Sequence, residues 1–249
     1  MASQAKAAAT LAKESPQIRW RFFAGIVVPL FTAMVRLRIR EGSTLPAQGS
    51  FILSPNHFSE IDPIVMGVVV WKLRRTPRFL AKASLFRVPV LGWIMNFTGQ
   101  IPVEREATGQ VGAPLKAATQ LVKQGQGVIV YPEGTLTKDS NLWPMKGKVG
   151  AVRMALESGI PLYPAAHWGT QNLMGRYAKK IRFFPRTTID VVVGEPLDLS
   201  RFQGKQVTKE LLEEATEVLM HKITALVGSL RHETPPATLH DGRGPKERS

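Results

Sequence analysis

Cysteine is absent from the 249-residue chain, which rules out disulfides, thiolate catalysis and cysteine-ligated zinc. Histidine is sparse. The five histidines, His57, His167, His221, His232 and His240, never stand in a His-x-x-x-His or His-Glu-x-x-His spacing, so no metal site is signalled. No Gly-x-Ser-x-Gly occurs, which leaves the chain without a nucleophile elbow. Acidic residues are few. Nineteen Asp and Glu against 33 Lys and Arg give a formal charge of +14, which favours anionic partners: nucleic acid, acidic lipid surfaces or phosphorylated substrates. No helix-turn-helix or aromatic RNA-binding motif accompanies that charge, so no nucleic-acid partner is expected. A membrane-spanning hydrophobic stretch is missing from the N-terminal region too. The apolar run Phe22 to Val35 (FFAGIVVPLFTAMV) has 14 residues and contains Pro29, whereas a spanning helix needs roughly 20. Arg36-Leu37-Arg38 stands where a signal peptide would place small residues. Arginines 19 and 21 precede the run and arginines 36, 38 and 40 follow it, predicting an interfacial or re-entrant membrane segment; the alternative is an ordinary buried helix.

What the chain does contain is an alternation of short apolar runs and helical patterns. Strands are predicted at 50–55, 78–82, 100–103, 127–131, 161–166 and 187–193, and helices at 61–71, 114–123, 149–157 and 207–227. The last helix is the clearest, with Leu212, Ala215, Leu219, Ile223 and Leu226 at three- and four-residue steps and Thr208 placed to cap it. Residues 85–96 read as a broken helix or an apolar surface hairpin. The alternation predicts an α/β domain with a mostly parallel central sheet flanked by helices. The domain plan is a flexible N-terminus at 1–15, a membrane-associated helical segment at 16–45, the main domain at 46–230 and a disordered tail at 231–249, rich in Pro, Gly and mixed charge. No internal repeat is visible.

In parallel sheets, ligands gather at the carboxyl ends of the strands. Two motifs begin there: SPNHFSEIDP (54–63) and YPEGTLT (131–137). In the first, His57 and Asp62 are spaced so that Asp62 can hold one imidazole nitrogen while the other accepts a proton. With no protein nucleophile at hand, such a base suits deprotonation of a substrate hydroxyl that attacks a carbonyl directly, as in acyl transfer from a thioester. The competing reading is an incidental histidine beside a capping Asn56 or Ser59. In the second motif, Gly134 permits a sharp turn or close backbone approach to an anion, and Glu133 either binds a substrate hydroxyl or braces the loop. Arg105, ending GQIPVER (99–105), can grip a phosphate with its forked guanidinium or sit solvated at a strand end. Lys148 opens a helix, where phosphate is favoured; its alternative is a plain surface lysine.

Together these blocks resemble the glycerolipid acyltransferase family, the 1-acylglycerol-3-phosphate acyltransferases and their relatives. NHFSEID is similar to the family's Asn-His-x-x-x-x-Asp block, GQIPVER to its second, YPEGTLT to its Pro-Glu-Gly-Thr block and IPLYPAA (160–166) to its apolar, proline-rich fourth. Ala81-Lys82, Lys148-x-Gly150 and Gly194-Glu195-Pro196-Leu197 also look like family positions, so the likeness covers about 50–196. The resemblance implies a glycerol-3-phosphate acyltransferase-like fold and O-acyl transfer to 1-acyl-glycerol-3-phosphate, giving phosphatidic acid. His57 would be the base and Asp62 its orienting partner. Arg105 and Lys82 would hold the acceptor phosphate, while Glu133, Gly134 and Thr135 would shape the acceptor and acyl-carbonyl pocket. The donor would be acyl-CoA or acyl carrier protein, a co-substrate, with no cofactor or metal. The expected setting is the cytoplasmic face of the cell membrane, bound peripherally or monotopically to phospholipid. Leu136 departs from the family's usual arginine and supplies no charge. Either Arg105, Lys82, Lys138 or Lys148 compensates, or the acceptor is another lysophospholipid or glycerol phosphate. A non-enzymatic membrane-surface binding protein is the reading from a different class.

Overall fold

The computed structural model describes residues 18–103, 121, 124–178, 180–182 and 184–242. The predicted helix at 114–123 falls almost wholly outside these, as do the termini at 1–15 and 243–249. Seven strands are described: β1 (Val35–Ile39), β2 (Phe51–Pro55), β3 (Leu80–Lys82), β4 (Ile101–Val103), β5 (Gly127–Ile129), β6 (Leu162–Trp168) and β7 (Thr187–Val193). The helices are α1 (Ile18–Met34), α2 (Asp62–Lys72), α3 (Leu91–Phe97), α4 (Gly150–Ser158), α5 (Thr170–Leu173) and α6 (Lys209–Arg231).

The central sheet runs β1-β7-β6-β2-β5. The pairs β1–β7, β6–β2 and β2–β5 are parallel, as expected of a mostly parallel sheet, and the one antiparallel pair, β6–β7, makes it mixed. The cause is the connection after β6, which carries only the four-residue α5 among its described residues and no long crossover helix to return the chain in parallel. A small parallel pair, β3–β4, is linked to the edge of the main sheet through a bridge between Phe79 and Ile129.

The middle strand, β2, is buried along its whole length. Its alternate side chains face two cores: Ile52 packs with residues of α4 and α6, while Phe51 and Leu53 pack with residues of α1 and α2. Gly127 of β5 lies so close that a Cβ there would stand 2.0 Å from the Phe51 ring. The stripe on α6 is buried at Leu212, Ala215, Leu219 and Ile223 as its spacing predicts, with Val227 buried and Leu226 only partly so at its end, and the Thr208 side chain accepts a hydrogen bond from the Leu211 amide at its start.

Two further expectations change and one alternative is decided. Residues 35–39 (VRLRI) are not part of a helical membrane segment but an edge strand, whose alternating burial suits one face to the core. Arg38 there makes a two-pronged pair with Asp190 at 2.6 and 2.7 Å, and Arg40 donates to the Ser229 carbonyl, so these arginines brace the sheet edge. The broken-helix option holds at 85–96: a 3-10 turn at Ala83–Arg87 precedes α3. The tail is placed through residue 242 instead of being disordered from 231. His240 bridges to Met145, the Lys146 amide donates to the His240 carbonyl at 2.8 Å, and Leu239 packs on the core.

Candidate active site

Strands β2, β5 and β6 run in the same direction, so the segments after them meet at one end of the sheet. His57 follows β2, Tyr131 to Glu133 follow β5, and His167 lies near the end of β6. The chain from His57 to α2 doubles back on the Asp62 carboxylate. Asp62 Oδ2 accepts from the Phe58 amide at 2.7 Å and the Ser59 amide at 2.8 Å, and lies 3.0 Å from His57 Nδ1. A carboxylate accepts only, so Nδ1 carries the proton and Nε2 keeps its lone pair. Burial works to raise the pKa of Asp62, but the His167 and His57 imidazoles and the Ser59 amide hold it below the ordinary carboxylate value. The His57 side chain is 16% exposed, and its ring stacks on Tyr131 with centroids 4.2 Å apart. An oriented imidazole with one free nitrogen at a cleft has the geometry that a general base requires.

Of the two roles open to Glu133, the structure places it in the bracing one. It is buried, its Oε1 accepts from the His57 amide at 2.9 Å and its Oε2 from the Met145 amide at 3.1 Å. Burial pushes its pKa up to about 8, against those two amides. The Thr137 amide donates to the His57 carbonyl at 2.8 Å, so the loop is held at both the amide and the carbonyl of His57. Gly134 has φ +69° and a virtual Cβ only 3.0–3.1 Å from the end of the Lys148 side chain, so glycine is what lets this lysine lie across the loop. The Lys148 amide in turn donates to the Pro132 carbonyl at 2.7 Å. Thr135 is exposed and stands outside the cleft lining, and Leu136 is buried. Lys82, at the end of β3, is exposed and lines the cleft with His57 and Lys148. Arg105 lies outside the described residues.

The cleft has a volume of about 770 Å³ and mostly apolar walls. Trp20 and Val27 of α1, Ile64 and Val68 of α2, and Ile94 and Met95 of α3 line it, with His57 and Tyr131 on the strand side. Trp20 Nε1 donates to the Thr98 carbonyl at 2.7 Å, fastening α1 to the end of α3. Thus α1 is a wall of the cleft on one face, whereas Phe22, Ile26 and Leu30 are exposed on the other. Among the described residues, no helix is long and apolar enough to cross a membrane, and no group of three His, Asp or Glu side chains is arranged to hold a metal.

Sequence reasoning missed Tyr131, Asn56, His167 and Arg176. Arg176 donates to the carbonyls of Thr137 and Asp139 at 2.6 and 2.8 Å, fixing the loop after Leu136. His167 carried no sequence signal: the register that pairs Pro55 with Ala165 brings it beside Asn56 and the His57 loop.

A family model described as Acyltransferase matches residues 36–168. The 1-acyl-sn-glycerol-3-phosphate acyltransferase of Bacillus subtilis (strain 168) is 28% identical over 211 residues, covering 85% of this chain and 98% of that protein. The chloroplastic 1-acyl-sn-glycerol-3-phosphate acyltransferase BAT2 of Brassica napus is 36% identical over 120 residues, which is 48% of this chain and 33% of that longer protein. Among solved structures, the 1-acyl-sn-glycerophosphate (LPA) acyltransferase PlsC from Thermotoga maritima superposes with a TM-score of 0.60 at 22% identity, covering 87% of this chain and 81% of that chain. This last likeness is one of fold.

Proposed function

The chain belongs to the acyltransferase family and is an O-acyltransferase, and on that premise we propose that it transfers a fatty acyl group to the free hydroxyl of 1-acyl-glycerol-3-phosphate, yielding phosphatidic acid for phospholipid synthesis. The observation that carries this reading is the His57–Asp62 pair at the floor of an apolar cleft that also presents Lys82 and Lys148. His57 Nε2 takes the proton of the acceptor hydroxyl as its oxygen attacks the thioester carbonyl carbon. Asp62 balances the charge of the resulting imidazolium. As the tetrahedral adduct collapses, the carbon–sulfur bond breaks and the imidazolium returns its proton to the departing thiolate. The products are an ester and a free thiol, and either acyl-CoA or acyl carrier protein satisfies this chemistry as donor. The apolar walls suit acyl chains, and the two lysines suit an acceptor phosphate. Arg105 joins them in this proposal on the family resemblance alone.

The same reading puts the protein on a phospholipid surface, at the cytoplasmic face. Phe22, Ile26 and Leu30 on the outer side of α1, with Val90 and Trp93 beside the 3-10 turn, expose large apolar side chains on elements that also wall the cleft. The formal charge of +14 favours anionic headgroups.

Leu136 motivates one alternative, an acceptor other than lysophosphatidic acid. An acceptor panel decides between them: purified protein on lipid vesicles, labelled acyl-CoA or acyl carrier protein, and lysophosphatidic acid, glycerol 3-phosphate or other lysophospholipids in turn. Highest kcat/KM with lysophosphatidic acid supports the proposal. Turnover confined to another acceptor overturns it and makes Leu136 the mark of altered specificity.

A further inference from the structure

His167 is fully buried one strand away from the catalytic histidine, and the chemistry just described gives it no part. Its surroundings are unusually well defined. The Asn56 side chain extends the β2–β6 pairing past Pro55, which has no amide hydrogen: Asn56 Oδ1 accepts from the His167 amide at 2.9 Å, and Asn56 Nδ2 donates to the His167 carbonyl at 3.2 Å. The His167 ring answers with Nε2 3.1 Å from the Asn56 carbonyl oxygen. A carbonyl only accepts, so Nε2 bears the hydrogen. Nδ1 is then the acceptor, facing the Thr170 hydroxyl at 3.5 Å. The same Nε2 lies 3.7 Å from Asp62 Oδ2, the oxygen that holds His57. The Phe58 ring meets the His167 ring edge-on at 5.3 Å and closes this side.

We propose that His167 is a positioning residue for the catalytic pair: its Nε2–H, lodged between the Asn56 carbonyl and Asp62, holds the carboxylate in line with His57 without taking its charge. Neutrality is essential to that role. A second imidazolium at this distance would compete with His57 for Asp62, and burial among Phe58 and the strands keeps the His167 pKa below its ordinary value. A neutral ring, its N–H bonded to the Asn56 carbonyl and its Nε2 3.7 Å from Asp62 Oδ2, leaves the full negative charge for the imidazolium that forms on His57 during transfer. Asn56 matters equally, since its side chain sets the spacing between the two strand ends that carry the two histidines.

The proposal rests on His57 being the base, so its test needs one arm that does not depend on the choice of substrate. That arm is the low-field proton NMR signal of the His57 Nδ1–H···Asp62 bond, compared in wild type, His167→Leu and His167→Gln. Leucine fills the space without a donor, and glutamine restores an N–H. The expected result is a displaced or exchange-broadened signal in His167→Leu and a wild-type position in His167→Gln. In the kinetic arm, His167→Leu lowers kcat by about tenfold with both KM values changed by less than about twofold, and His167→Gln recovers most of the loss. An unchanged signal in His167→Leu overturns the proposal, as does a glutamine variant no better than leucine when thermal unfolding of both matches wild type. If wild type lacks activity on every acceptor, the acyl-transfer reading fails while the NMR comparison still decides the role of His167.

Discussion

At the scale of single residues, the site depends on how one carboxylate oxygen is shared. Asp62 Oδ2 serves His57, two loop amides and the neighbourhood of His167, and Asp62 Oδ1 has no hydrogen-bond partner among the described residues. The His57–Asp62 relation was legible in the sequence because both residues fall within one short motif. The His167 contact was not, because it arises from the register between strands more than a hundred residues apart, and the chain around His167 reads only as apolar. Lys148 also became specific only in three dimensions. Its side chain lies along Gly134 at the cleft, which a helix-start lysine does not reveal by itself. If it holds the acceptor phosphate, Lys148→Ala raises the acceptor KM by about tenfold and leaves the donor KM within about twofold, from the loss of one charge-assisted contact. Steady-state titration of each substrate checks this, and equal changes in both KM values would remove the phosphate role.

At the scale of elements, the loop from Glu133 to Met145 is the clamp on the segment that carries His57. Glu133 bridges the His57 and Met145 amides, and the neighbouring Lys146 amide reaches the C-terminal segment at His240. The Pro-Glu-Gly-Thr block was visible as a motif, but which of its members face substrate was not, since orientation at a strand end depends on the loop that follows. The raised pKa of Glu133, about 8, has a thermodynamic consequence. The folded chain keeps the proton that the unfolded chain releases at an ordinary carboxylate pKa. Stability therefore falls as pH rises from about 4.5 to about 8, then levels off. Glu133→Gln removes the titrating group. Denaturant midpoints at about pH 5 and about pH 8 are expected to differ less in that variant than in wild type, whatever the absolute stability of each. The same slope in both proteins would contradict a buried, proton-retaining Glu133.

At the scale of the whole molecule, most helices and strands were readable from pattern, because β2 and β5 are short apolar runs buried on both faces and α6 buries the stripe that its spacing marks. Two features were hidden. VRLRI reads as a basic flank to an apolar run until Arg38 is seen paired with Asp190, and Arg40 just after the strand with Ser229, at a sheet edge. The antiparallel β7 is equally silent, since strand direction is not written in a strand's own residues. The N-terminal helix ties these scales together: one face walls the cleft that ends at His57, and the other exposes Phe22, Ile26 and Leu30. On the proposed reading, lipid would reach the base from that side.

The central claim is that His57 performs the transfer and is not required for folding or lipid docking. The most direct test measures acyl transfer to lysophosphatidic acid on anionic vesicles by wild type and His57→Ala, with vesicle co-sedimentation and thermal unfolding recorded on the same preparations. The account predicts a fall in kcat of about 10²- to 10⁴-fold or more in the variant, which still unfolds cooperatively and still binds vesicles. Turnover retained in a folded, vesicle-bound His57→Ala protein would contradict it.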